Sequence, residues 1–123
     1  MIAAGGRGRR LIDVFLHAAV NLHVATAMVR LLHHSDIENV YDDASRAARL
    51  AGTLAERAGD DGLVVGSGDD TAPGVLPLVT DGRQAIPFFR AAGTTVETFG
   101  NHDFDFGPNA TRELVADAPP TWV

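Results

Sequence analysis

Three acidic or amide residues, Asp36, Asp69 and Asn101, stand 33 and 32 residues apart along the chain, each beyond a short apolar run. Taken singly they have ordinary readings: Asp36 and Asp69 as helix caps or loop acids, Asn101 as a turn residue, and the adjacent His102 as a loop histidine. Their regular spacing is about one strand-plus-helix unit, so parallel pairing would bring all three to one edge of a sheet. Oxygen and imidazole donors gathered there suit a hard or borderline divalent cation. A carboxylate between two cations can bridge them, and ions about 3.5–4 Å apart can clamp both oxygens of a phosphoryl displacement.

The elements that must position these residues alternate between strand and helix. Residues 29–33 form an apolar run that ends in His34-Ser35-Asp36, as a buried parallel strand would. Residues 42–58 predict a helix capped by Asp42 or Asp43, with Ala47, Leu50, Ala51 and Leu54 on one face. Leu63-Val64-Val65 predicts a second strand that runs into Gly66-Ser67-Gly68-Asp69-Asp70. Residues 73–79 read as a short helical turn, and residues 83–92 as a helix ending at Gly93. Residues 96–99 predict the third strand, leading into Gly100-Asn101-His102-Asp103. Residues 108–116 predict a last helix with Pro108 in its first turn, and Thr121-Trp122-Val123 opens a fourth strand. This order gives right-handed parallel crossovers in an α/β sheet, where ligands sit beyond the carboxyl ends of the strands.

The segments Ser35-Asp36-Ile37-Glu38, Gly68-Asp69 and Gly100-Asn101-His102-Asp103-Phe104-Asp105-Phe106-Gly107 resemble the first three motifs of the calcineurin-like metallophosphoesterases, in order and in spacing. The third matches the 5′-nucleotidase form, Gly-Asn-His-Glu/Asp-Phe-Asp-Phe/Tyr-Gly, at every position, whereas Gly68-Asp69 alone would be a weak signal. The stretch at residues 74–89, with Asp81-Gly82 ahead of a helix, resembles that family's linker between the second and third motifs. The resemblance covers residues 28–123. It implies an α/β fold, a truncated α-β-β-α sandwich built from parallel strands and crossover helices. It also implies two divalent metal ions (Mn²⁺, Mg²⁺, Zn²⁺ or Co²⁺) and hydrolysis of a nucleotide or other phosphomonoester by hydroxide generated at those metals. Carried over by residue, Asp36 would ligate the first metal, Asp69 would bridge both, and Asn101 would ligate the second through its side-chain oxygen. His102 would be the catalytic histidine at the phosphoryl transition state. Asp105 would pair with it, fixing the imidazole tautomer and favouring its charged form.

Two departures from the family pattern stand out. The first motif usually reads Asp-x-His, and here Glu38 takes the third position. A carboxylate can ligate where the imidazole did, shifting preference toward Mn²⁺ or Mg²⁺; equally, it can mark a site that has lost its first metal. Of the two histidines before Asp36, His33 is expected to pack or face a helix, and His34 is a secondary ligand candidate. The family also draws histidine ligands from two later motifs and has a C-terminal substrate domain, and neither follows Trp122 here. The expectation is a fragment, or half of a site completed by a separate chain or a second copy, with no appreciable phosphatase activity on its own.

Composition sets outer limits. A length of 123 residues suits one domain, and 46% hydrophobic residues suit a globular one. Ten Arg and no Lys against sixteen acids give a net charge of −6, which argues against unaided binding to nucleic-acid phosphates. There is no Cys, which excludes disulfides and thiolate metal sites. No apolar stretch reaches the ~18–20 residues of a membrane span, so a cytoplasmic protein is expected. Residues 1–27 differ in character: a basic run with Arg7, Arg9 and Arg10 precedes a mildly apolar stretch broken by Asp13, His17, Asn21 and His23. Three readings fit them. One is a start assigned upstream of a natural start at Met28; another is a secretory signal ending in Ala25-Thr26-Ala27, which would mean export. The third is an extra helix with Leu11, Phe15, Ala18 and Leu22 on one face. A rival to the whole enzymatic reading is a non-enzymatic module that keeps the fold around an empty or single-metal site.

Overall fold

The structure, a computed structural model, describes residues 28–123. The three readings of residues 1–27 lie outside the described residues. The elements run in the order β1 (Leu31–His34), a 3-10 turn (Glu38–Asp42), α1 (Ala44–Ala58), β2 (Leu63–Gly66), α2 (Val75–Thr80) and α3 (Ala85–Ala92). β3 (Thr94–Glu97), a second 3-10 turn (His102–Phe104), α4 (Gly107–Asp117) and β4 (Thr121–Trp122) follow. Local chemistry sets these limits. Asp43 caps α1, its carboxylate accepting the Arg46 N–H at 3.0 Å. The left-handed Gly93 (φ 74°) ends α3, and a proline in the first turn opens α4.

The four strands are all parallel and lie in the order β1-β2-β3-β4. Each crossover therefore moves one strand along in the same direction. Right-handed connections of that kind place their helices on one face of the sheet. The core agrees: Ala51, Leu54 and Ala58 of α1 and Ala85, Phe88, Phe89 and Ala92 of α3 form one cluster with Val64 of β2. Small residues on both helices allow close approach, and the two phenylalanines fill the remaining space, each worth roughly 1.5–3 kcal/mol of burial. Phe89 is fully buried and meets Trp122 of β4 edge-on at 6.0 Å. On the opposite face the register pair Leu31 and Leu63 is exposed. The covered face and the parallel order fix where the strand ends point, which is what the site depends on.

Two expectations need correction. β3 runs Thr94–Glu97 and not over residues 96–99. Gly93 turns the chain straight into the sheet, and burial of Thr94 and Glu97 outweighs the apolar pull of Phe99, which is left exposed. The register shifts between Val64 and Val65, where Thr95 is the additional residue and its hydroxyl bonds Val64 O at 3.0 Å. His33, expected to pack or face a helix, is exposed, with Nε2 2.8 Å from Ser67 Oγ. The pleat alternation turns His34 toward the covered face instead.

Candidate active site

Asp36, Asp69 and Asn101 lie two, three and four residues beyond the ends of β1, β2 and β3. The loops that carry them are tied to one another. Asp36 N–H donates to Gly68 O at 3.2 Å, which joins the first turn to the second. Asp69 Oδ1 accepts the His102 N–H at 2.7 Å, which joins the second to the third. Asp103 works as a buried hub: Oδ2 accepts from Asp69 N at 2.9 Å and Gly100 N at 2.8 Å, and Oδ1 from Thr71 N and Thr71 Oγ1 at 3.1 and 2.7 Å. The approach needs glycine. A Cβ on Gly68, already at φ 92°, would lie 2.1 Å from Gly100 N.

Asp36, Glu38 and Asp69 all hold positive φ, at 56°, 44° and 56°. Non-glycine residues rarely adopt this region, and such strain concentrates at functional sites. Aspartate tolerates it better than glutamate does. Asp36 also accepts a hydrogen bond from the Ser35 hydroxyl. Asn101 is exposed, and its side chain does not cap the 3-10 turn that it opens, which leaves the amide out of backbone pairing there.

The His102 ring is placed by Asp105, with Nδ1 2.9 Å from Asp105 Oδ2. A carboxylate only accepts, so Nδ1 carries the hydrogen and Nε2 is the outward nitrogen. The hydrogen bond to Asp105 is the main cause holding the His102 pKa above its ordinary value; partial burial opposes it, and the charges of Asp105, Asp69 and Glu38 reinforce it. No arginine among the described residues pairs with Asp36, Glu38, Asp69 or Asp105. Carboxylates at Asp36, Glu38 and Asp69 with no cationic side-chain partner, together with an uncommitted amide, fit divalent cations in donor type.

Convergence is another matter. Among the described residues the group of three ionisable donors that lies within 4.8 Å of one another is His34, Asp70 and Glu97, all buried. Asp36, Glu38, Asp69, His102 and Asp105 lie on the linked loops, and no three of these ionisable residues form such a set. His34, the secondary ligand candidate, faces inward: Nδ1 lies 2.8 Å from Asp70 Oδ2, and Nε2 3.0 Å from Thr94 Oγ1. The sequence reading gave Asp70 and Glu97 no role. The signal available for Glu97 was a charged residue at a strand position; Asp70 was eclipsed by its neighbour Asp69.

The fold is similar to that of a solved calcineurin-like phosphoesterase. The calcineurin-like phosphoesterase YfkN from Bacillus subtilis superposes with a TM-score of 0.56 at 20% identity, over 76% of this chain and 35% of that one. At that identity the likeness is one of fold, and the chain spans about a third of that structure's length. No protein-family model matches the sequence, and no curated protein matches it. No helix among the described residues is long and apolar enough to cross a membrane.

Proposed function

We propose that the chain supplies part of the active site of a divalent-metal-dependent phosphoesterase of the 5′-nucleotidase type, acting on nucleotides or related phosphomonoesters in the cytoplasm. One observation carries this reading: the His102 N–H sits on Asp69 Oδ1 while the His102 ring is backed by Asp105. A would-be metal bridge and a would-be phosphoryl-facing imidazole are thereby one rigid unit, on a fold shared with a calcineurin-like phosphoesterase. Asp36, Glu38, Asp69 and Asn101 are the residues that would hold the ions. When bound, the ions would polarise the phosphate and acidify water. His102 presents Nε2 outward; protonated there, it stabilises charge on phosphoryl oxygens and can pass a proton to the leaving oxygen. Asp105 keeps that tautomer and that charge.

The edge carboxylates repel a phosphate dianion, so substrate binding must wait for the cations. Asp36, Glu38, Asp69 and Asn101 are few donors for two ions. Further imidazoles would come from polypeptide beyond these residues or from a second copy, and the chain alone should not turn over substrate. A non-enzymatic module is the second reading, favoured by the absence, among the described residues, of any three ionisable edge donors within 4.8 Å of one another. Phosphate binding to the chain, measured by calorimetry with and without Mn²⁺, tests the proposal. Mn²⁺-dependent binding that Asp69→Asn abolishes is expected, and no phosphate binding at saturating Mn²⁺ would favour the module.

A further inference from the structure

Beneath the strand-end edge, Glu97 is fully buried on β3. One carboxyl oxygen, Oε1, accepts the Gly68 and Thr98 N–H groups, each at 3.1 Å. The other, Oε2, is buried with no hydrogen-bond partner. The space for this group is built into the neighbouring strand: a Cβ on Gly66 would lie 1.9 Å from Oε2, so any larger residue there would displace the buried carboxyl group. Beside it Asp70, also fully buried, accepts the Ile37 N–H on Oδ1 at 3.1 Å and faces His34 Nδ1 with Oδ2. Neither Arg nor Lys pairs with either carboxyl group among the described residues. Two adjacent buried carboxylates with an orphaned oxygen between them would be costly if both were charged.

One proton resolves the arrangement. Placed on Oε2, it turns an orphan acceptor into a donor toward Asp70. His34 then donates from Nδ1 to Asp70 and accepts the Thr94 hydroxyl at Nε2, and each of these side-chain groups has a partner. We propose that Glu97 is a positioning residue for the strand-end edge: as a neutral acid it donates a hydrogen bond to Asp70 and so fixes the turns that carry Asp36 and Asp69. The connections are short. Glu97 holds the backbone of Gly68, which precedes Asp69; Asp70, which follows Asp69, holds the backbone of Ile37, which follows Asp36. Burial, and then the charge of Asp70, push the Glu97 carboxyl up to about 8, consistent with a proton resident at neutral pH. The hydrogen-bonded brace stands on its own geometry, and its effect on metal binding rests on the function proposed above.

Glu97→Gln and Glu97→Leu separate the possibilities, because glutamine keeps a permanent donor toward Asp70 and leucine removes it. Three readouts are taken on the intact chain: thermal melting, Mn²⁺ affinity by calorimetry, and the infrared C=O stretch of a buried protonated carboxylic acid. In the parent this acid band is expected, and Glu97→Gln removes it while melting within about 3 °C of the parent and keeping its Mn²⁺ affinity. Glu97→Leu is expected to melt more than about 5 °C lower, since a buried acceptor loses its donor. It should also bind Mn²⁺ about 10–100-fold more weakly, as when groups behind a metal ligand are removed. Equal damage from both variants, or no acid band in the parent, would overturn the proposal. So would an ion found by elemental analysis that persists in Asp69→Asn and is lost in Glu97→Gln, which would make the buried trio a cation site. If the parent binds no Mn²⁺ at all, the functional reading fails, while the acid band and the two melting shifts still decide the role of Glu97.

Discussion

Replacing Asp103 with Asn should damage the site more than any edge substitution, although the side chain is buried and lies behind the edge. Its carboxylate accepts four hydrogen bonds, from Asp69 N, Gly100 N, Thr71 N and Thr71 Oγ1. Asparagine keeps one acceptor oxygen and offers an NH₂ group where the other oxygen stood. Whichever way the amide is oriented, two N–H or O–H donors lose their acceptor and face another donor. Hydrogen bonds to a charged group contribute about 1.5–3 kcal/mol, and a buried polar group left unsatisfied costs about 1–3 kcal/mol. Because the four bonds act as a unit, the loss is taken as about 3–4 kcal/mol and not as their sum. With about 4–8 °C per kcal/mol for a domain of this size, the melting temperature should fall by more than about 12 °C. Thermal unfolding followed by circular dichroism measures this directly, and Mn²⁺ affinity should fall with it because Asp69 loses its anchor. A variant that melts within about 3 °C of the parent would refute the claim that Asp103 holds these loops together.

Three further outcomes are expected. In any assembled active form, His102→Asn should lower kcat by about 10²–10⁴-fold with little change in metal affinity, and equal losses of both would reassign His102 as a ligand. By NMR titration the His102 imidazole should have a midpoint above the ordinary value of about 6.5, and Asp105→Asn should bring it down. The sign follows from a raised folded pKa: the His102–Asp105 interaction stabilises fully below the unfolded value and is lost as pH rises through the folded one, so an unchanged midpoint in Asp105→Asn would contradict the pairing. Gly68→Ala should lower stability by about 2–4 kcal/mol in denaturant unfolding, since its φ of 92° and the nearby Gly100 backbone leave no room for a methyl group; a neutral effect would contradict the close approach of these loops.

The sheet was legible in the sequence because its strands are short apolar runs between helix caps and glycines. Gly93 ended α3 as the sequence implied, and Asp43 proved to be the cap of α1. The sequence pattern starts β3 two residues late because Phe99 looks like a strand residue, while the polar pair at Thr94 and Glu97 does not. Thr94 is buried against His34 of β1 and Glu97 against the loop that follows β2, a reason no local pattern carries. The spacing of Asp36, Asp69 and Asn101 was enough to place them on linked loops beyond three strand ends. The brace of His34, Asp70 and Glu97 was not legible in the same way. Its members come from three segments, and which of two adjacent residues turns inward depends on the pleat and on a one-residue register shift between β2 and β3. The left-handed backbone at Asp36, Glu38 and Asp69 was also invisible to a reading by residue type.

Mn²⁺ titration of the chain, compared with Asp36→Asn and Asp69→Asn, tests the central claim most directly. Calorimetry and the electron paramagnetic resonance of free Mn²⁺ give stoichiometry and affinity without requiring turnover. At least one tightly held ion is expected in the parent, with an affinity reduced by more than about tenfold in Asp69→Asn and a smaller loss in Asp36→Asn, because Asp69 is the residue proposed to be shared by both ions. Absence of Mn²⁺ binding by the parent, or binding indifferent to both substitutions, would contradict a metal site at the strand ends.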